Sequence, residues 1–222
     1  MLICPNSGDE CHKRIKPLPK TAFLIISYSG EKFREIENTI VKTLKEKDYQ
    51  VILAKDIKQS RNLLCKICQT IRSTPIGIIV YTEDTPKRSL PNIFYELGLI
   101  TAFGKEPILI KSKKAKIPSD LHGLEWIEFE RLDELAENLS MTIDHLEEIA
   151  NYYLDRAYIC EEAGDTYNAV TFFERSYLLN PKKEILHELD KIREELKREK
   201  EGDLTLSRRL IDEINDFLAS VK

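Results

Sequence analysis

The sequence predicts an α/β fold, a doubly wound parallel sheet with helices on both faces, followed by a small all-α segment. Ile76, Ile78, Ile79 and Val80 form a β-branched run suited to a strand covered on both faces, and Pro107 to Ile110 repeats it after an intervening helical stretch. Such runs alternate with helical periodicity through the first two thirds of the chain, and from Ile149 no strand signal is left. Strands alternating with helices imply parallel pairing through right-handed crossovers.

Taken in order, Ala22 to Ser27 is a short apolar strand, and Tyr28-Ser29-Gly30 turns into a helix over Glu31 to Lys47, with Phe33, Ile36, Ile40 and Leu44 at helical spacing. Val51 to Ala54 supplies a second strand. Arg61 to Ser73 reads as a second helix with Leu64, Ile67 and Ile71 on one stripe. After the third strand, Pro91 suits a first helical turn and Gly104 the position just past a helix end, so a helix runs from Pro91 to Phe103. Glu125 to Phe129 alternates as an edge strand, and Leu132 to Leu146 returns to helix. The organisation expected is an N-terminal Cys-containing segment (1–20), an α/β domain (21–147) and a helical domain (148–222).

Size and charge narrow the classes. With 222 residues, 42% hydrophobic and 32% charged, the chain can bury one α/β core of ~140 residues and a smaller appendage. No apolar run approaches the ~20 residues of a membrane span, and the N-terminus has no apolar stretch to serve as a secretion signal, so no membrane partner and a cytoplasmic location are expected. A formal charge of −4 provides no global basic field, which argues against nucleic acid as a partner. The local run Lys111, Lys113, Lys114 and Lys116 reads as a solvated loop rather than a phosphate site. The chain has neither G-x-G-x-x-G nor a Walker sequence, which argues against a dehydrogenase or a P-loop NTPase.

The loop from Tyr81 to Leu90 lies at the carboxyl end of the third strand, where open α/β sheets bind ligands. If strands one and three are neighbours, the turn Ser27 to Gly30 sits beside it and the two make one pocket. Asn92 and Glu96, four apart, share a face of the following helix near this crevice. Glu96 is a single glutamate among apolar neighbours, the strongest candidate here; the bland alternative is a solvated helix residue.

The residues Asn92-Ile93-Phe94-Tyr95-Glu96-Leu97-Gly98, followed by Gly104-Lys105-Glu106-Pro107-Ile108-Leu109-Ile110, resemble the "N-V-x-x-E-L-G … G-K-x-x-I-L-I" pattern of TIR-like predicted nucleotide-binding proteins and of nucleoside 2-deoxyribosyltransferase-like proteins. The resemblance extends more weakly over Thr21 to Asp144. It implies a Rossmann-like, flavodoxin-like sheet and a glutamate, Glu96, that acts at a ribosyl anomeric carbon of NAD, a nucleoside or a nucleotide.

Cleaving an N-glycosidic bond passes through an oxocarbenium-like state, which a carboxylate beside the anomeric carbon stabilises or attacks. Glu96 has that role in this reading. Asp84, or failing it Glu83, would hold a ribose hydroxyl or exchange a proton with the base. Asn92 would bind a hydroxyl or orient the carboxylate, Ser27 and Ser29 line the first turn, and Tyr28 or Tyr95 would stack on a base. Each has an ordinary alternative: a turn-forming Asp, a helix-start Asn, a partly buried Tyr. The competing function is a nucleotide sensor without turnover, or a scaffold.

Cys4 and Cys11 lie in a polar N-terminal segment, and Cys65 and Cys68 form C-x-x-C within a predicted helix, on one face. Four thiolates in two pairs suit a structural zinc, with His12 as a spare ligand and no other cofactor expected. The resemblance also implies paired cysteines. Unliganded thiols, a redox pair and a disulfide, which a cytoplasmic setting disfavours, stay open, and Cys160 reads as a core residue.

The unit Ala150 to Lys183 resembles a tetratricopeptide repeat, with Tyr153, Ala157, Gly164, Asp165, Ala169, Phe173, Ser176 and Pro181 at its large, small, turn and stop positions. Small residues let two antiparallel helices approach and Gly164 separates them. Two more amphipathic helices follow, over Lys183 to Lys200 and Leu206 to Val221, with Glu201-Gly202-Asp203 between. A lone repeat cannot bury its own face, so it packs on the first domain, on the later helices or on another subunit, and a homo-oligomer or a protein partner through the C-terminal helices is expected.

Overall fold

Five strands pair in parallel in the order β2-β1-β3-β4-β5: β1 (Thr21–Ile25), β2 (Gln50–Leu53), β3 (Ile76–Tyr81), β4 (Glu106–Ser112) and β5 (Ile127–Phe129). This is the doubly wound parallel sheet that the sequence predicts. The computed structural model describes residues 4, 8–9, 11, 15–27, 31–57, 63–198 and 204–221. Between the strands lie α1 (Glu31–Glu46), α2 (Leu63–Ser73) and α3 (Leu90–Ala102), and after them α4 (Leu132–Glu162), α5 (Thr166–Leu179), α6 (Lys183–Arg198) and α7 (Leu204–Ser220). The chain steps outward from β1 to β2 and then back across to β3. Strand order therefore reverses between β1 and β3, which are neighbours, and this switch point is where such sheets open a crevice at their carboxyl ends.

The two faces of the sheet separate by parity. Phe23, Ile25, Ile79 and Leu109 meet Ile67 and Ile71 of α2 and Ile93, Leu97 and Ile100 of α3 in one cluster. The alternate positions Leu24, Ile78, Val80, Ile108 and Ile110 point the other way and are equally buried, so the strands read as continuous apolar runs. Phe33, Ile36, Ile40 and Leu44 are the buried stripe of α1, as their spacing predicts. In α2 the buried stripe is Ile67, Cys68 and Ile71, whereas Leu64 is 47% exposed: it sits in the helix's first turn, ahead of the stretch that the sheet covers.

The described residues fall into two compact units, one within Met1–Lys13 and Thr21–Asp144, the other within Arg14–Lys20 and His145–Lys222. The second unit has its own core of Ala157, Cys160, Ala169, Val170, Phe173, Tyr177, Ile185, Leu189, Ile192, Leu210, Ile214 and Phe217. Gly164 adopts φ 74° after α4, and Asp165 caps α5 by accepting a hydrogen bond from the Asn168 amide. Small residues let α5 approach α4 closely enough for the Ser176 hydroxyl to donate to the Ala150 carbonyl at 2.8 Å. The helix expected to stop at Leu146 instead runs on to Glu162, because no Gly or Pro interrupts Leu132 to Glu162. The break expected at Glu201 to Asp203 lies outside the described residues. Among the described residues no helix is long and apolar enough to cross a membrane.

Candidate functional site at the carboxyl ends of the strands

Helix α3 is set down on β3 and β4 by a missing side chain. A Cβ on Gly77 would lie 2.3 Å from Ile100 Cδ1, so the glycine is what lets Ile100 seat against the strand. A crossover helix runs antiparallel to its strands, so Glu96, one turn before Ile100, lies ~5 Å nearer their carboxyl ends. Its neighbours on the inward face are Ile93, Leu97 and Ile100, and Glu96 itself is only 8% exposed. Burial pushes its carboxyl up to about 7. At neutral pH this group is divided between acid and carboxylate.

Two further acids stand at the same end of the sheet. Lys32, in the first turn of α1, donates to Glu83 and to Asp84, both at 2.7 Å, and thereby ties α1 to the loop after β3. Ser112, at the end of β4, donates to the other Glu83 oxygen. The Lys32 and Ser112 hydrogen bonds hold the Glu83 carboxyl down at about 2, so it stays ionised. The loop itself is pinned by Thr82 and Thr85, both buried: the Thr82 amide donates to the Thr85 hydroxyl at 2.9 Å, and the Thr85 amide to the Thr82 carbonyl at 3.0 Å.

The remaining predicted residues are placed as follows. Ser27, at the end of β1, is 8% exposed, while Tyr28 and Ser29 lie outside the described residues. Asn92 and Tyr95 are exposed on α3: Asn92 shares the Glu96 face but lies in the first turn, one turn nearer the helix start, whereas Tyr95 projects to the side of that face. Asp84 presents an open carboxylate whose Oδ2 is engaged by Lys32. The lysine run is not one solvated loop: Lys111 belongs to β4 and pairs with Glu128 at 2.8 Å, with a side chain only 11% exposed, and Lys113 pairs with Glu134 at 2.8 Å. A surface cavity of about 620 Å³ beside β5 is lined by Lys111, Lys116, His122, Trp126 and neighbours, and it includes none of the predicted site residues.

Residues 23–131 match the family model for the TIR domain of CAP12/Pycsar effector proteins. The α/β unit is a TIR-like domain. Among solved structures, the chain is similar to the CMP N-glycosidase of Clostridium botulinum (19% identity, TM-score 0.41, covering 54% of this chain and 97% of that one). It is also similar to a 2-deoxyribosyltransferase of Bacillus psychrosaccharolyticus (12% identity, TM-score 0.42, 54% and 95%). No curated protein matches the chain in sequence.

Within the TIR-like domain, Lys32 and Ser112 are the residues that sequence reasoning passed over. The signal for Lys32 was its place, two residues past the turn that follows β1; the signal for Ser112 was the strand end facing the Glu83 loop. Cys4, Cys11, Cys65 and Cys68 fall in the same compact unit, and Cys160 in the helical one. Burial pushes the Cys68 thiol up, Arg72 opposes this, and Cys11, Cys4 and Cys65 are near enough to add to the rise. Arg72 Nη1 lies 3.4 Å from the Cys11 sulfur. His12 lies outside the described residues, and among the described residues no three His, Cys, Asp or Glu side chains already form a ligand set.

Proposed function

We propose that the TIR-like domain binds a nucleotide or nucleoside and cleaves or transfers at its N-ribosyl bond through Glu96. The observation that carries this reading is a glutamate, buried and with its carboxyl raised by that burial, near the start of the crossover helix between β3 and β4. A carboxyl near pH 7 costs little to protonate or deprotonate. It serves as a proton donor to a departing base, or when ionised as the charge that meets an oxocarbenium centre. Asp84 and Asn92 would hold ribose hydroxyls, with Ser27, Tyr28, Ser29 and Tyr95 around the base. Glu83, fixed as an ionised partner of Lys32, is the structural acid of the group.

The helical unit would carry contacts with a second copy or another protein. Tyr152, Ile159 and Tyr167, all at least half exposed, support that use.

The test is to incubate the pure protein, alone and at concentrations that favour assembly, with NAD and a panel of nucleosides and nucleotides, and to measure released base. Turnover that falls by at least ~100-fold in Glu96→Gln supports the proposal. Binding of a nucleotide by calorimetry without turnover in any assembly state would make the domain a sensor instead.

A further inference from the structure

We propose that Cys4, Cys11, Cys65 and Cys68 bind one zinc ion that clips the N-terminal segment to α2. This stands apart from the ribosyl reading and does not depend on it. In sequence the obstacle is the gap between Cys4 and Cys11, six residues where zinc knuckles use two to four. The fold removes it. The Cys4 amide donates to the Asp9 carbonyl at 2.7 Å and the Gly8 amide to the Cys4 carbonyl at 2.9 Å, with Gly8 at φ 76°. The backbone at Cys4 therefore touches the backbone at Asp9, and Cys11 follows two residues on. Loop closure, not chain length, sets how far apart the two thiols stand.

The second pair is presented by a helix. Cys65 and Cys68, three apart in α2, share one face. Arg72, one turn beyond Cys68, reaches the Cys11 sulfur at 3.4 Å, which brings the Cys11 thiol to this helix. None of the four cysteines is in a disulfide. Two thiols from each of two segments make the four-sulfur donor set of a structural zinc site. On binding, four S–H protons are released and no electrons move, leaving a tetrathiolate of charge −2, which the Arg72 guanidinium beside Cys11 partly offsets. No three of these ligands are already grouped among the described residues, so binding draws the N-terminal pair and the helix pair together around the ion.

The test uses the full chain, without a polyhistidine tag, purified under reducing conditions with no added metal. Elemental analysis should find one zinc per chain. Cobalt exchanged for it should give the visible d–d bands of a tetrahedral tetrathiolate. Cys4→Ser, which leaves the sheet core untouched, and Cys68→Ser should each retain less than half of the zinc, and Cys160→Ser all of it. Chelation should make the four thiols react with a disulfide reagent and lower the melting temperature. The proposal is overturned by less than half an equivalent of zinc together with four rapidly reacting thiols in the untreated protein. Full zinc retention by Cys4→Ser, or iron in place of zinc, overturns it equally.

Discussion

At the scale of single residues, the buried carboxyl of Glu96 sets up a conflict between folding and chemistry. Its folded value of about 7 lies above the ordinary 4.5, so the folded state binds the proton more tightly than the unfolded chain does. Stability is therefore unaffected below pH 4.5, falls as pH rises from 4.5 to 7, and stays lowered above that, by roughly 3 kcal/mol. Glu96→Gln should recover most of that loss at pH 8.5 and almost none at pH 4, in urea unfolding at the two pH values; equal effects at both would remove the buried charge from the account. Glu83 runs the opposite way. Its depressed carboxyl stabilises the fold above pH 4.5, an effect lost as pH falls toward 2. Because Lys32 is half exposed, Lys32→Met should cost less than about 1 kcal/mol at pH 7 while returning the Glu83 titration, followed by NMR, toward the ordinary range. Glu96 was visible in the sequence as a polar residue where helical spacing demands an apolar one. Lys32 was not, because its partners lie 51 and 52 residues away and no local pattern records them.

At the scale of elements, every strand was legible in the sequence: β1 and β3 as runs buried on both faces, and β5 as the alternation of an edge strand. What it missed were features with no period. The single-turn helices at Ala54–Asp56, Lys87–Ser89 and Ser119–Leu121 are too short to show one, and the continuation of α4 past Leu146 rests on the absence of a breaker rather than on a signal. The approach of α3 to the sheet is equally silent in sequence, because Gly77 reads as an ordinary weak spot in a strand until Ile100 is placed over it. Gly77→Ala should cost about 1–3 kcal/mol, since Ile100 is fully buried and cannot swing aside. Adding Ile100→Ala should make the cost of Gly77→Ala largely disappear in a double-mutant cycle. Additive effects would mean that α3 is positioned by something else. If the two substitutions also shift Glu96 along the strand axis, turnover should fall with them.

At the scale of the whole molecule, the chain builds two cores rather than one. The sheet's core is continuous across β1, β3 and β4, whereas the helical unit gathers around Phe173, which is fully buried and meets Tyr158 edge-on at 5.3 Å between ring centroids. No residue of the helical core cluster is shared with the cluster on the α2–α3 face of the sheet. Stability should then be divided. Phe173→Ala removes a large side chain from a closely packed site and should destabilise the helical unit by about 3–5 kcal/mol. Native-state hydrogen exchange would read the outcome by segment: amides of α5, α6 and α7 should exchange much faster, and those of β1, β3 and β4 at their former rate. A uniform loss of protection across strands and helices would mean that the continuous helix α4, which runs through both units, makes the two cores unfold as one.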